Sequence, residues 1–184
     1  GKVYINGTSV FLPNAPVGND DIEYVLGMIA GKPSRARRIV LRSNGIRQRH
    51  YAIDPTTGAP THTNAQLTAE AVRGLTCERF SPDDIDCLVS GTTIPDQLMP
   101  NHAVMVHGEL GIPPCEVVST AAICVAGITA LKYAWMSVLS GQARNAVATA
   151  SELASSVLHA RNFAAESERR VAELESNPEI AFEK

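Results

Sequence analysis

The sequence predicts an α/β fold in which helices cover both faces of a sheet. Segments with strand-like and helix-like patterns alternate along the chain, and several of the strand-like segments lack a polar face. Strands of that kind are typical of sheets layered between helices. The chain has 184 residues, 45% of them hydrophobic, and is therefore long enough to bury such a core without a disulfide or metal.

The first third of the chain contains a predicted strand, helix and loop. Residues 2–6 alternate apolar and polar side chains, which predicts a strand. Residues 19–31 open with Asn-Asp-Asp and continue with apolar residues at helical spacing, which predicts a capped helix. Residues 54–63 are rich in Pro, Thr and Gly and are typical of a loop.

The rest of the chain alternates strands with helices. Further helices are predicted over residues 65–75, 102–110, 121–139 and 157–175. Further strands are predicted over residues 86–91, 116–120 and 145–150. Ser81 is followed by Pro82 at the first helical position, a typical helix start.

Charge and apolar runs exclude several classes of protein. A net charge of -3 gives the whole chain no attraction to nucleic acid or to an anionic membrane. The longest nearly apolar run, residues 121–131, is far shorter than the ~20 residues that span a bilayer. No cationic stretch leads into an apolar run at the start, so we expect no signal peptide there.

The cysteines and histidines lack the spacing of a metal site. None of Cys77, Cys87, Cys115 and Cys124 forms a Cys-x-x-Cys pair, and no two histidines are four residues apart. We therefore expect no metal, although His102 and His107 leave open a site completed by another ligand. Loose cysteines in a chain of this size are typical of a reducing cytoplasm.

One cysteine lies where a predicted buried strand meets the long predicted helix. A helix start at Cys124 would favour the thiolate, because free N–H groups and partial positive charge gather there. The small neighbours Ala122, Ala126 and Gly127 would let a thioester approach closely. Most cysteines among apolar residues are inert core residues, so the residues alone leave both interpretations open.

Basic residues concentrate in one segment. Seven of the 16 lie between positions 32 and 49, namely Lys32, Arg35, Arg37, Arg38, Arg42, Arg47 and Arg49. Such runs are often only solvated. Alternatively, arginine forks here bind the phosphates of CoA or of a phosphopantetheine arm. Nucleic acid is the least favoured ligand, because no aromatic residue is interspersed among the arginines.

Two segments resemble a known family. Residues 39–50 (Ile-Val-Leu-Arg-Ser-Asn-Gly-Ile-Arg-Gln-Arg-His) and residues 111–141, which contain Cys124 and Gly127-Ile128-Thr129-Ala130-Leu131, resemble segments of ketoacyl-ACP synthase III enzymes. The resemblance runs from Val3 to about Ser155. It implies a thiolase-type fold of two similar halves, each with a mixed five-stranded sheet between helices. The tail looks more similar to the branch of dialkylresorcinol-forming ketosynthases.

The resemblance implies an acyl-thioester condensing enzyme of fatty-acid, polyketide or dialkylresorcinol-type biosynthesis. Cys124 is implied as the nucleophile that accepts an acyl group from CoA or acyl carrier protein, with its own N–H in the oxyanion hole. The acyl thioester then forms a C–C bond with a β-carboxyacyl or β-ketoacyl carbanion. No tightly bound cofactor is implied, and the family forms homodimers.

The chain also differs from the family pattern. The family's catalytic His and Asn lie in a second half, and none of the five histidines here matches them. We therefore expect a thiolase-like N-terminal half over residues 1–156 and a helical extension over 157–184 that leads to a C-terminal half supplying His and Asn. The alternatives are a non-catalytic structural subunit of the same fold, or an enzyme that transfers acyl groups to oxygen or nitrogen.

The resemblance also assigns binding residues. Arg42 matches a cofactor-contacting arginine, Arg38 replaces an adenine-stacking tryptophan, and Arg47 belongs to the same cluster. These changes favour a carrier-protein donor, whose acidic surface arginines attract. Met99 stands where an aromatic side chain commonly lines the partner subunit's acyl pocket. A flexible methionine there predicts a medium-chain acyl group rather than acetyl.

Two further residues are given structural roles by their surroundings. Glu152 follows a predicted strand and resembles a family position that is acidic or small, so we expect it to be structural. Trp135 lies well inside the long predicted helix, where we expect a core or dimer contact.

Overall fold

The computed structural model describes residues 1–34 and 37–163, apart from the side chains of Ala30 and Arg38. Its described helices are α1 Ile22–Leu26, α2 Arg37–Asn44, α3 Asn64–Arg73, α4 His102–Leu110, α5 Ala126–Leu139 and α6 Ala154–Leu158. Its described strands are β1 Val17–Gly18, β2 Gln48–Arg49, β3 Cys87–Gly91, β4 Glu116–Thr120 and β5 Ala146–Ala150. Short 3-10 turns cover Ile29–Gly31, Pro82–Asp84, Ile123–Val125 and Ala160–Asn162.

The chain divides into two compact units. The first, here called the sheet unit, comprises Gly1–Pro13 and His62–Leu153. The second unit comprises Asn14–Thr61 and Ala154–Lys184. No helix among the described residues has the length and apolar character needed to cross a membrane.

The sheet unit is built on three parallel strands in the order β4-β3-β5. The register pairs Gly91 at the end of β3 with Thr120 on one side and with Ala150 on the other. The carboxyl ends of all three strands therefore finish level with one another. This shared edge decides where the segments that follow the strands meet.

Helices cover both faces of this sheet, as predicted. Successive residues of a strand point to opposite faces. Leu88 of β3 belongs to a core with Val72 of α3 and Val106 of α4. Its neighbours Cys87 and Val89 belong instead to the core that Ala130 and Ala134 of α5 form on the other face. The α/β fold class is therefore confirmed.

Local signals set the ends of the two helices on the first face. Thr63 and Gln66 form a reciprocal capping box that starts α3. The side chain of Asn101 caps α4 by accepting a hydrogen bond from the N–H of Val104. Gly111, in the left-handed conformation, ends α4. These helices lie where the sequence predicts them.

The second unit contains a small core and an antiparallel strand pair. Strands β1 and β2 pair, and Val25, Tyr51 and Ile53 are buried together. An ion pair of 2.7 Å joins Arg37 of α2 to Glu23 of α1. The predicted loop over residues 54–63 is confirmed, since no helix or strand element lies there.

Two predictions near the N-terminus are wrong. Residues 2–6 form no strand, because they pair with no other described strand and leave Tyr4 and Ile5 exposed. The helix predicted over residues 19–31 stops at Leu26, because Gly27 takes a backbone φ of 82° that ends the helical turn. A separate 3-10 turn follows at Ile29–Gly31.

Three further predictions need correction or stay open. The helix predicted over residues 121–139 begins only at Ala126, because Ile123 leaves the helical region of backbone conformation. The implied mixed sheet of five strands is, in the described residues, a parallel sheet of three. The helix predicted over 157–175 ends, as α6, at Leu158, and residues 164–184 lie outside the described part. The division at residue 156 stays a prediction.

Candidate active site

The carboxyl edge of the three-stranded sheet holds the candidate site. The N–H of Thr92 donates to the carbonyl of Thr120 at 3.1 Å, and the N–H of Ser151 donates to the carbonyl of Gly91 at 3.2 Å. These bonds join the segments that leave β3, β4 and β5. Ligands of open α/β sheets bind outside the carboxyl ends of the strands, so these three segments are the place to look for chemistry.

Cys124 lies in the segment that leaves β4. It is exposed, in the middle of the 3-10 turn Ile123–Val125, two residues before the first residue of α5. The preceding Ile123 has a φ of 49°, a conformation that a β-branched residue takes only at a cost of about 1–3 kcal/mol. A strained turn thus presents the thiol to solvent, and the interpretation as a buried core cysteine does not fit.

Close packing fixes the start of α5 beside this turn. A Cβ at Gly127 would lie 2.5 Å from the Cβ of Ala150, and one at Gly91 would lie 2.5 Å from the carbonyl oxygen of Ala126. The hydroxyl of Thr120 also donates to that carbonyl at 2.9 Å. The helix therefore rests directly on the strand ends, and the turn with Cys124 has little freedom to shift.

The other cysteines differ from Cys124 in their surroundings. Cys87 is buried in β3, and burial, followed by a hydrogen bond with Glu116, raises the pKa of its thiol to about 11. Burial also raises the pKa of the Cys115 thiol. Cys77 is exposed like Cys124, but it lies in a bridge with Phe80 rather than at the carboxyl edge of the sheet.

Met99 lies in the segment that leaves β3. This segment, residues 92–100, is called the β3–α4 loop below. The side chain of Met99 is 86% exposed, and so is that of Leu98. The structure therefore places Met99 on a loop that starts next to the strand leading to Cys124 and leaves its side chain free of the core.

A buried histidine lies behind the loop. The Nε2 atom of His102 is 3.2 Å from the hydroxyls of Thr68 and Ser151. Burial lowers the pKa of His102, against the smaller opposing effect of the Asp96 and Glu152 carboxylates. His102 is thus a neutral part of the packing at this edge, a role that the sequence alone did not reveal.

Glu152 leaves β5 and contacts the β3–α4 loop. Its carboxylate accepts hydrogen bonds from the N–H groups of Thr93 at 2.7 Å and Ile94 at 3.3 Å. The hydroxyl of Thr92 donates to it at 3.3 Å. The only sequence signal for this contact is an acidic residue two positions after a predicted strand.

The candidate phosphate-binding arginines belong to the second unit. Arg42 is exposed in the last turn of α2, and Arg47 is exposed just before β2. Within the described residues neither makes a hydrogen bond or ion pair, whereas Arg49 donates to the side chain of Asn19. The side chain of Arg38, also in α2, lies outside the described part.

An acidic cavity lies at the opposite, amino edge of the sheet. Its volume is about 410 Å³, and its lining is Asp83, Asp84, Asp86, Arg144 and Asn145. The N–H groups of Asn145 and Arg144 donate to the Asp86 carboxylate and lower its pKa. These hydrogen bonds hold the start of β5, so we interpret the residues of this cavity as structural. In the part of the chain that is described, no three His, Cys, Asp or Glu residues form a metal-binding group.

The chain is similar in sequence to known proteins. No protein-family model matches the chain. The chain is 30% identical over 158 residues to a β-ketoacyl-[acyl-carrier-protein] synthase III of Sphingopyxis alaskensis, which covers 85% of this chain and 45% of the relative. The chain thus spans less than half the length of this relative.

The fold of the chain is also similar to the folds of solved condensing enzymes. A tetronic acid condensing enzyme is 32% identical and superimposes with a TM-score of 0.60, over 74% of this chain and 40% of that one. A fungal type III polyketide synthase is 26% identical with a TM-score of 0.65, over 88% of this chain and 49% of that one. The fold is therefore thiolase-like. Within that class, the chain is related to the ketoacyl-ACP synthase III family, which confirms the resemblance found in its sequence.

Proposed function

We propose that the chain is the nucleophile-bearing part of an acyl-thioester condensing enzyme of the ketoacyl synthase III type. The observation that carries this proposal is the exposed Cys124, which a strained turn presents at the carboxyl edge of the sheet. The relatives are named as ketoacyl synthases and condensing enzymes, which supports the same class of reaction.

The proposed reaction has two covalent steps. The thiolate of Cys124 attacks the carbonyl carbon of an acyl thioester, the donor's C–S bond breaks, and the donor leaves as a thiolate that takes a proton from solvent. The N–H of Cys124 stabilises the oxyanion in this step. A carbanion then forms, either from a β-carboxyacyl thioester that loses carbon dioxide or from a β-ketoacyl thioester that gives an α proton to a base. The carbanion forms a C–C bond with the acyl carbon, the bond from that carbon to sulfur breaks, and the Cys124 thiolate is released.

The proposed acyl donor is a phosphopantetheine thioester on acyl carrier protein, with acyl-CoA as the alternative. Arg42 and Arg47 are exposed and unpaired within the described residues, so their guanidinium groups are available to phosphate or acidic side chains. We assign Arg38 to the same role from the sequence. The proposed reaction needs no tightly bound cofactor.

Met99 is proposed to line the acyl pocket of a partner subunit in a homodimer. Its exposed, flexible side chain supports a pocket that accepts a medium-length chain. Loading limited strictly to acetyl would contradict this assignment. A reducing cytoplasm stays the proposed location, in keeping with the four free cysteines.

We also propose that a C-terminal half supplies the catalytic His and Asn. The surface of helix α5 supports this proposal. The helix packs on the sheet through small residues and leaves its large apolar side chains exposed, so that a further chain segment could cover them. Its buried residues are Ala126, Ala130, Ala134 and Ser137. Its exposed apolar residues are Ile128, Leu131, Trp135, Met136 and Leu139. A contiguous surface of this kind marks an interface.

The reaction product distinguishes the proposed condensation from two alternatives, acyl transfer to oxygen or nitrogen and a structural role without catalysis. The complete protein, with any co-purifying chain, is incubated with an octanoyl thioester and a β-carboxyacyl or β-ketoacyl thioester, and the product mass is measured. A C–C condensation product supports the proposal. An ester or amide product would instead indicate acyl transfer to oxygen or nitrogen, and no turnover with all subunits present would indicate a structural subunit.

A further inference from the structure

We propose that Glu152 is a positioning residue that holds the β3–α4 loop rigid, so that the loop forms a wall of the acyl pocket that it lines in the partner subunit. This inference rests on the proposed function of Cys124. It does not make Glu152 a catalytic residue, because its carboxylate acts on the loop and not on the acyl group.

The carboxylate contacts three successive residues of the loop. One oxygen accepts the N–H of Thr93 at 2.7 Å, and the other accepts the hydroxyl of Thr92 and the N–H of Ile94, each at 3.3 Å. Hydrogen bonds to an ionised acceptor are roughly twice as strong as neutral ones. An amide in place of the carboxylate offers one acceptor oxygen instead of two, so at least one of these donors loses its partner.

A second carboxylate holds the far side of the same stretch. Asp96 accepts the N–H groups of Asn64 at 2.7 Å and Ala65 at 2.9 Å, in the first turn of α3. The side-chain amide of Asn64 donates in turn to the hydroxyl of Thr92 at 2.9 Å and to the carbonyl of Ile94 at 2.8 Å. The stretch 92–96 is therefore fixed between the end of β5 and the start of α3.

This fixed stretch lies next to the nucleophile's own strand. The N–H of Thr92 donates to the carbonyl of Thr120, four residues before Cys124. Thr92 is only 3% exposed, so the loop leaves the sheet from a buried anchor before it reaches the exposed Met99. Glu152 thus connects β5 to the segment that lies beside the Cys124 turn. By holding residues 92–94 it sets the position of Met99, which in the proposed homodimer lines the acyl pocket of the partner subunit.

The test uses three variants of the complete protein. Glu152→Gln removes the charge at constant size, Glu152→Asp keeps the charge on a shorter side chain, and Glu109→Gln is the matched control on the exposed surface of α4. Loading of Cys124 is timed by mass spectrometry over a range of acetyl, octanoyl and dodecanoyl thioester concentrations. Alkylation by iodoacetamide is measured in parallel, because it needs the thiol but no acyl pocket.

We expect Glu152→Gln to raise the octanoyl thioester concentration that gives half-maximal loading by about tenfold. The loading rate at saturating thioester and the rate of alkylation by iodoacetamide should each change by less than about twofold. Glu152→Asp recovers part of this loss, and Glu109→Gln shows none. Amide hydrogen exchange at Thr93 and Ile94 rises by about tenfold in Glu152→Gln, whereas exchange at Ala103, whose N–H donates to Ser119, stays unchanged.

The proposal is overturned if Glu152→Gln and Glu109→Gln need the same octanoyl thioester concentration for half-maximal loading of Cys124. It is equally overturned if loading, alkylation and exchange at Ala103 all change together, because that result is a general loss of structure. A wild-type protein that no thioester loads would overturn the proposed function instead. Exchange at Thr93 and Ile94 would still show whether Glu152 holds the loop.

Discussion

At the scale of single residues, the local environment decides which cysteine is reactive. A thiol reacts as the thiolate, and burial disfavours the thiolate. Cys87 has its pKa raised to about 11, whereas Cys124 and Cys77 are exposed. At about pH 8 only about one Cys87 side chain in a thousand is ionised.

This contrast predicts a labelling pattern. In the native protein at about pH 8, iodoacetamide should label Cys77 and Cys124 at least about a hundredfold faster than Cys87, because burial both raises the pKa of the Cys87 thiol and blocks access to it. Timed alkylation followed by peptide mapping measures the rates. The rates should converge once urea unfolds the chain, and equal rates in the native protein would contradict the structure.

His102 makes stability depend on pH. Its pKa is lowered from 6.5 by burial, so as the pH falls the unfolded chain binds a proton at a higher pH than the folded chain does. The free energy of unfolding should therefore fall with pH below this value, by at most about 1.4 kcal/mol per pH unit, and be insensitive to His102 above it.

Urea unfolding between about pH 7.5 and pH 5.5 measures this slope. His102→Gln should flatten it, because the titrating group is gone. His107→Gln is the control, since the His107 side chain is only partly buried and its Nε2 atom lies 3.1 Å from the carbonyl oxygen of Pro113. An unchanged slope in His102→Gln would show that another group causes the pH dependence.

At the scale of elements, the contact between α5 and the strand ends fixes the position of the Cys124 turn. Gly127→Ala places a Cβ 2.5 Å from the Cβ of Ala150, so the helix start must move away from the sheet. We expect the free energy of unfolding to fall by about 1–3 kcal/mol and acyl loading of Cys124 to slow. Urea unfolding and timed mass spectrometry measure the two effects.

Gly108→Ala is the matched control for this prediction. Gly108 lies in α4 at an ordinary helical φ, and a Cβ there would have no atom within 4 Å. Alanine should raise the free energy of unfolding by about 0.5–1 kcal/mol, since it loses less backbone entropy on folding. Equal effects of the two substitutions would show that α5 does not rest on the strand ends.

The same elements show how far sequence reasoning reaches. Strands β3 to β5 and helices α3 and α4 follow from apolar periodicity and local caps, which act within a few residues. The turn at Cys124 does not follow, because small apolar residues such as Ala121 and Ala122 have helical preferences. Its strain at Ile123 depends on the tertiary contact of α5 with the sheet.

The candidate site was predictable only in part for the same reason. Cys124 could be singled out as the residue between a strand and a helix, and the family resemblance gave it a role. The contact of Glu152 with Thr93 joins residues 59 positions apart, and no local pattern encodes such a distance. The burial of His102 likewise depends on Thr68 and Ser151 from other elements.

At the scale of the whole molecule, the exposed face of α5 is the surface on which we propose that the C-terminal half packs. Trp135, the single tryptophan of the chain, lies on this face and is 47% exposed. If a C-terminal half covers the face, acrylamide should quench the fluorescence of Trp135 several times less in the complex than in the chain alone. The C-terminal half is used with its tryptophans replaced by phenylalanine, so that all the tryptophan fluorescence comes from Trp135.

Quenching that does not change on association would show that the second half binds elsewhere. Leu131→Lys is the companion variant, because it places a charge on the same face and should weaken association. Glu109→Lys is its control, since Glu109 is charged and exposed but lies on α4, outside this face. Equal affinities for all three proteins would also contradict an interface on α5.

The central claim is that Cys124 accepts an acyl group, and intact mass measurement tests it most directly. The complete protein is exposed briefly to an octanoyl thioester and then digested to locate the adduct. We expect one octanoyl group on Cys124, lost in Cys124→Ala and retained in Cys77→Ala. An adduct on Cys77, or no adduct with every subunit present, would contradict the claim.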